Sequence, residues 1–480
     1  MNAAVSTGLA GGVTDRIEKI VGPRGYLHKP EDLTLYEYDG GVDKSRPDCV
    51  VFPESTQQVV DLVKLASEQG MPIVGRGAGT GLSGGAIARA GGMVISFARM
   101  NRILEIDLPN ERAVVQPGVV NIDITNAVEA DGYFYAPDPS SQRACTIGGN
   151  VSENSGGPHT LAYGVTTNHV LGIEAVLPDG SLIETGSGYD LAGYDLTGLL
   201  VGSEGTMALV TKIIVRLMRK PEVVKTILAI YDSAEDAGAT VEQITSRAIT
   251  PVAIEMLDGV LLRMVEEATH AGYPMDAAGV LLIELEGLTE TVEEQTEQIR
   301  EVCGICKARE FRVARTAEER DKLWWGRKNA FGAVGRFSPA YYVQDGVVPR
   351  TKMAPTLKFI EELGKRTGLS ISNIFHAGDG NLHPLITFDP RVEGEFEKVK
   401  VASDEILQFC ISVGGSITGE HGVGMEKMEM MGHQFSDDSL EMISRFKKLF
   451  DPGCRLNPGK VLPTGRGCME IRQRPGDLSL

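Results

Sequence analysis

From Pro53 onward the chain alternates short apolar runs with amphipathic stretches. Ser55 or Thr56 can cap a helix whose apolar stripe is Val59, Val60, Leu62, Val63 and Ala66, the spacing of one buried helical face, and Gly70 ends it. The apolar run 71–74 reads as a strand and leads straight into Gly75-Arg-Gly-Ala-Gly-Thr-Gly-Leu-Ser-Gly-Gly-Ala86. Strand-like runs follow at 93–97, 103–106 and 113–115, separated by Gly, Asn and Pro turns. Residues 136–206 form a second block rich in Gly, Ser and Asn, 208–218 reads as a strand, and Pro221 marks a domain boundary. Beyond it, strands (225–231, 280–285) alternate with amphipathic helices (234–247, 291–302), the pattern of an α+β unit. The tail carries a helix and then Leu456-Asn-Pro-Gly-Lys460. The chain therefore divides into an N-terminal arm over 1–45, a glycine-rich domain over 46–221, an α+β domain over 222–421 and a C-terminal segment over 422–480.

Composition changes this picture in two places. Glycine supplies 57 of 480 residues, roughly 12% against an average near 7%, so many positions require φ > 0 or a close approach of the backbone. The net charge of −18 leaves no basic stripe to displace counterions from phosphates, which argues against a nucleic-acid binder. No run of 18 apolar residues exists, so no transmembrane segment is expected. The N-terminus lacks a basic flank followed by an apolar region, and the seven cysteines are scattered; both predict a cytoplasmic, reduced protein.

Gly79-Thr-Gly-Leu-Ser-Gly84 matches G-x-G-x-x-G after a strand, but fewer than two helical turns fit before Gly91-Gly92, so the Rossmann reading fails. The remaining use is a nest of backbone N–H groups for phosphate oxygens, built from Arg76, Gly77, Ala78, Gly79, Thr80, Gly81 and Leu82. Arg76 either adds charge or serves a structural ion pair. The second block contains Pro137-Asp-Pro-Ser-Ser141 and Thr146-Ile-Gly-Gly-Asn-Val-Ser-Glu-Asn-Ser-Gly-Gly157, and Gly202-Ser-Glu-Gly-Thr206 follows. Pro137, Asp138, Ser141, Thr146, Gly148, Gly149, Asn150, Ser152, Asn154 and Gly205 offer small side chains and polar tips that suit a planar, hydrogen-bonding ring. Nest and platform together suit FAD. In this order the three motifs resemble the FAD-binding domain of the vanillyl-alcohol-oxidase, or PCMH, type. Some members of that family tether the flavin through a histidine of the first loop; this loop has none, so non-covalent FAD is expected.

Phe375-His-Ala-Gly-Asp-Gly-Asn-Leu-His-Pro384 reads as a hairpin with Gly378-Asp-Gly-Asn381 as its loop. Pairing Ala377 with Leu382 puts His376 opposite His383 on one face, a spacing that suits two ligands of one metal. In Gly419-Glu-His-Gly422, Glu420 can complete a His/His/carboxylate set and leave His421 as a base. An extended backbone would send Glu420 and His421 to opposite sides, so a bend at the flanking glycines is required.

These segments resemble the substrate domain of FAD-linked D-2-hydroxy-acid dehydrogenases, nearest the glycolate-oxidase flavoprotein branch, and the resemblance spans nearly the whole chain. It implies an α+β protein with a PCMH-type FAD domain, a ferredoxin-like α+β substrate domain as cap, and a C-terminal return carrying Asn457 and Lys460. It further implies a divalent metal (Zn, Mn or Fe) on His376, His383 and Glu420, with His421 as the catalytic base. The family's Trp-x-x-Arg segment matches Trp324-Trp-Gly-Arg327, giving Arg327 to the substrate carboxylate, with Trp325 as the packing aromatic. The implied reaction is oxidation of a small D-2-hydroxy acid, glycolate to glyoxylate, with proton abstraction by His421 and hydride transfer to flavin N5. Where the 2-hydroxyglutarate enzymes of that family place a lysine and an asparagine near the second carboxylate, this chain has Val343 and Leu385, with Phe331 on the helix after Arg327; such an apolar wall disfavours 2-hydroxyglutarate. Alternatives are D-lactate oxidation and a non-catalytic flavoprotein subunit. The family also suggests a second flavin subunit and an iron–sulfur subunit as partners, through which the protein would sit peripherally on the inner membrane. Cys303-Gly-Ile-Cys306 reads as a helix end followed by a strand rather than a redox motif.

Overall fold

A computed structural model describes residues 11–186 and 193–467. Ser55 caps the helix Thr56–Glu68 by accepting from the Gln58 N–H, and Val59, Val60, Leu62, Val63 and Ala66 are buried. They pack on a four-stranded sheet in the order Tyr26–Leu27, Cys49–Val51, Met93–Ser96, Ile73–Arg76. The N-terminal stretch is not the separate arm expected for 1–45, of which residues 1–10 lie outside the described residues. Helix Gly11–Val21 lays Val13, Ile17 and Val21 into the same core, and Tyr26–Leu27 pairs with Val50 and Val51. A four-residue apolar spacing has to be buried against something, and this sheet is the nearest partner.

A five-stranded antiparallel sheet follows, in the order Ile103–Asp107, Arg112–Val115, Leu209–Arg216, Val170–Val176, Leu182–Gly186. No helix forms across the glycine loop, in keeping with the failed Rossmann reading, whereas the second block contains the short helix Ile147–Glu153.

The remaining large sheet has eight antiparallel strands. Its first four, Val223–Tyr231, Ala253–Asp258, Gly279–Gly287 and Glu310–Val313, stand in the spatial order fourth, first, third, second, which is the ferredoxin-like arrangement. Ala253–Asp258 then pairs with Ser370–His376, which pairs with Asn381–Phe388, and Ala340–Val343 closes the edge. One face carries helices Ala234–Ser246, Thr289–Ile305, Met353–Thr367 and Glu395–Ser412. The other carries Gly259–Thr269, Ala317–Lys328 and Ala330–Val334 over Ala253, Leu257, Ile374 and Leu385. Because strand side chains alternate, Glu255, His376 and His383 project from this second face.

The C-terminal segment returns to the first sheet: Leu456 bridges Ile73 in parallel and is buried in its core, and the Asn457 N–H donates to the Ile73 carbonyl. Among the described residues five cysteines are free and buried, Cys303 and Cys306 among them, while Cys454 is disulfide-bonded. Among the described residues no helix is long and apolar enough to cross a membrane.

Candidate active site

Arg76, Gly77, Ala78, Gly79, Thr80, Gly81 and Leu82 line a cavity of about 580 Å3. Among the described hydrogen bonds, no backbone N–H from Ala78 through Leu82 donates to the protein, and these five residues line the cavity, which leaves their donors available to what it holds. Gly79 has φ +71°, and a Cβ there would lie 2.3 Å from the Arg76 guanidinium, so the loop closes only without a side chain at this point. Arg76 Nη2 donates to the Tyr38 carbonyl at 2.8 Å, and the guanidinium lies 5.6 Å over the Tyr36 ring. It ties the N-terminal stretch to the loop through a carbonyl rather than through an ion pair.

Ser141, Thr146, Gly148, Gly149, Asn150, Ser152 and Gly205 line the same cavity. Thr146 Oγ1 is buried without a partner, an orphan that a polar ligand edge would satisfy. Four expected ligand residues are not on this wall. The Pro137 carbonyl accepts from Asn121, and Asp138 turns to His159 at 2.7 Å. Asn154, with φ +53°, accepts the Thr167 N–H, and Asn457 bonds the carbonyls of Gly85 and Glu204 beside a smaller cavity. All four satisfy backbone or side-chain groups that shape the loops. Sequence reasoning passed over Glu153 and Glu204, which line the cavity inside the glycine-rich blocks. Glu204 accepts from the N–H groups of Val423 and Gly424. Burial, with Glu204 adding to it, holds the Glu153 carboxyl well above its usual range, and Glu153 Oε2 has no partner.

The opposite wall of this cavity is formed by Lys328, Phe331, Tyr341, His383, Glu420 and His421. The histidine hairpin is shifted by two residues from the expected pairing: Phe375 opposes Leu382, His376 opposes Asn381 and His383 opposes Ile374. The turn is centred on Gly378-Asp379, where Asp379 accepts the Asn381 N–H and the following Gly380 has φ +83°. A two-residue shift preserves the face, so the imidazoles still meet diagonally, with centroids 5.0 Å apart.

Glu420 Oε1 lies 3.1 Å from His376 Nε2 and 3.0 Å from His383 Nε2. The far nitrogens are held from behind, His376 Nδ1 by Glu255 at 2.7 Å and His383 Nδ1 by the Gln344 carbonyl at 3.2 Å. That arrangement aims two imidazole lone pairs and a carboxylate at one point, the donor set a divalent cation satisfies. Against the effect of burial, Glu255 and Glu420 raise His376 well above its ordinary value, so the point calls for positive charge.

The required bend in the Gly419-Glu-His-Gly turn has a specific cause. The buried Asp345 carboxylate accepts from Thr418 Oγ1 at 2.6 Å and from the N–H groups of Gly419, Glu420 and His421 at 3.1, 3.2 and 2.9 Å. Lys427 Nζ pairs with it at 3.1 Å. Curled around Asp345, the turn presents Glu420 and His421 to the same cavity. His421 stacks on His383 at 4.8 Å, its Nε2 is 3.7 Å from Glu420 Oε1, and burial pulls it down to about 4. It is therefore a neutral base at neutral pH.

Arg327 is 1% exposed, and Nε donates to Glu255 Oε2 at 2.6 Å. Its Nη2 lies on the same carboxylate and 3.5 Å from His376 Nδ1. The fork expected to meet a substrate carboxylate thus meets Glu255, and Nη1 makes no hydrogen bond to a described residue. The packing aromatic is Trp324, whose Nε1 donates to Glu284 at 2.6 Å, not Trp325, which is 54% exposed. One helical step turns Trp325 about 100° away from the buried face. The apolar wall is likewise Phe331 stacked on Tyr341, while Val343 and Leu385 lie in the core beneath.

Residues 47–186 match an FAD binding domain, and residues 220–461 match the family described as FAD linked oxidases, C-terminal domain. The chain is 44% identical over 447 residues to glycolate oxidase subunit GlcD of Escherichia coli K12, covering 93% of this chain and 90% of that one. It is 33% identical to a D-lactate dehydrogenase of Anaerostipes hadrus, covering 87% and 90%. Its fold matches a 4-ethylphenol oxidase from Gulosibacter chungangensis with TM-score 0.79 at 18% identity, over 97% of this chain and 99% of that one.

Proposed function

The chain belongs to the FAD-linked oxidase family and is an FAD-linked hydroxy-acid oxidoreductase; from that premise we propose that it oxidises glycolate to glyoxylate, with His421 as the base. The observation that carries this reading is the shared cavity, lined on one side by the glycine loop and on the other by His383, Glu420 and His421. Bound FAD supplies the two-electron acceptor, and a divalent ion (Zn, Mn or Fe) on His376, His383 and Glu420 supplies Lewis acidity.

The protein's own share is positioning and proton transfer. Free N–H groups of the glycine loop hold the pyrophosphate, and Thr146, Asn150 and Ser152 meet the polar parts of the cofactor. The FAD is non-covalent, because the histidines that reach the cavity belong to the metal set and the base. His421, neutral before turnover, takes the substrate hydroxyl proton at Nε2. Asp345 keeps that ring facing the cavity. Arg327 braces Glu255 and His376, and its Nη1 is the donor left for the substrate carboxylate. Phe331 and Tyr341 would leave a second carboxylate unpaired, which selects small acids over 2-hydroxyglutarate. The relative from Escherichia coli is named as a subunit, and a second flavin subunit and an iron–sulfur subunit are the partners proposed to pass electrons on. This chain works in the cytoplasm or, through those partners, at the inner membrane.

Anaerobic mixing with glycolate should bleach the flavin within seconds, and acid precipitation should leave FAD in the supernatant. A flavin reduced by D-lactate with a higher kcat/KM than by glycolate would reassign the substrate, and one reduced by neither would overturn the reading.

A further inference from the structure

We propose that Lys328 captures the carboxylate of the incoming 2-hydroxy acid and shares it with Arg327, an inference that rests on the substrate reading above. The cap side of the cavity offers an incoming anion few free cations. Glu420 lines it, Asp345 stands behind it, and the chain carries a net charge of −18. Nearby cations are engaged: Arg76 with the Tyr38 carbonyl, Arg327 with Glu255, Lys427 with Asp345, and Lys460 with the Ile87 carbonyl.

Of the cationic residues lining the cavity, Arg76 is held by the Tyr38 carbonyl, whereas the Lys328 ammonium makes no hydrogen bond or ion pair to a described residue. Its position is fixed without one. Trp324, one helical turn earlier, is held by its bond to Glu284, and the Lys328 ammonium lies 5.9 Å from the centroid of that ring. A cation over an indole face is attracted there while its N–H groups remain available. Lys328 shares its wall with Phe331 and Tyr341, and His383, Glu420 and His421 complete that side of the cavity. In a 2-hydroxy acid the carboxylate and carbinol carbons are adjacent. The cation that captures the carboxylate must therefore open on the same cavity as the groups that meet the hydroxyl, which Lys328 does, whereas Arg327, 1% exposed, is not among the residues that line it. An unpaired ammonium on the cavity wall is also the arrangement that steers small anions, and such steering weakens with salt.

The test uses the FAD-loaded protein and its Lys328→Gln and Lys328→Arg variants. Steady-state rates with glycolate are measured from low to high ionic strength, and oxalate is titrated against the flavin spectrum. Lys328→Gln should lower kcat/KM about 10–30-fold, the size of a lost charged hydrogen bond. The loss should be carried mainly by KM, the salt dependence should flatten and oxalate binding should weaken in parallel. Lys328→Arg should restore most of each. An unchanged KM and oxalate affinity, or a loss confined to kcat with the salt dependence intact, would overturn the assignment. Oxalate binding that depends on Lys328 in a protein reduced by no 2-hydroxy acid would uphold the anion site while removing the substrate reading.

Discussion

The two walls of the cavity are built on opposite principles. On the cofactor side the groups that face inward are main-chain N–H donors and small polar tips, and what shapes them is the absence of side chains, as at Gly79. On the cap side they are imidazoles and carboxylates, each braced by a second charged or polar group: Glu255 behind His376, Gln344 behind His383, Asp345 behind the turn that carries Glu420 and His421. The first wall fails when atoms are added, the second when they are removed. On the function proposed above, this difference would separate binding of the cofactor from chemistry on the substrate, so that each should be open to being disabled alone.

The sharpest way to break that separation is His421→Ala. It should slow flavin reduction by glycolate about 10³-fold, the range of a lost general base, while FAD content stays at the wild-type level. Loss of FAD along with activity would mean that the two walls are not independent. The same residue sets a pH signature. Because burial pulls His421 down to about 4, it is unprotonated and able to accept a proton at every pH above that value. Reduction should therefore stay flat as pH falls through 6.5 and decline only near 4; a limb near 6.5 would show an imidazole open to water.

Asp345→Ala comes next. Removing one partner of the buried Asp345–Lys427 pair should cost about 3–5 kcal/mol, read as a lower denaturation midpoint. Metal content and flavin reduction should fall together, with cofactor still bound. The smallest effect is expected on the other wall. Gly79→Ala should weaken FAD by about 1–3 kcal/mol through backbone strain and the approach to Arg76, leaving metal content unchanged. An FAD affinity equal to wild type would show that the loop does not depend on a bare backbone there.

Much of the cofactor wall was legible because glycine and short polar residues cluster in sequence, and because periodicity located the surrounding helices and strands to within a few residues. Pro137, Asp138, Asn154 and Asn457 lie in or beside the same motifs but are placed off the cavity lining and bonded to other partners, a choice made by loop closure rather than by local pattern. On the cap wall the ligand types were readable as a His/His/Glu-His set. Their bracing was not. Glu255 lies 121 residues from His376 and Asp345 76 from His421, so nothing local marks either as a support; only the sheet brings Glu255 opposite His376. The hairpin register was missed for a related reason, since two registers that differ by two residues place the same histidines on the same face and period-two patterning cannot tell them apart.

The return of Leu456 to the edge strand Ile73–Arg76, with Asn457 and Lys460 bonding the carbonyls of Gly85 and Ile87, has a consequence for how the molecule comes into being. The glycine loop is translated long before the residues that secure it, Gly85 and Asn457 being 372 positions apart. A growing chain can collapse its first core and assemble its second sheet, yet the loop stays unlatched until residues 456–460 have been made. Such pairings between distant parts of a chain are slow to form, so a polypeptide truncated before residue 456 would be left with an open loop.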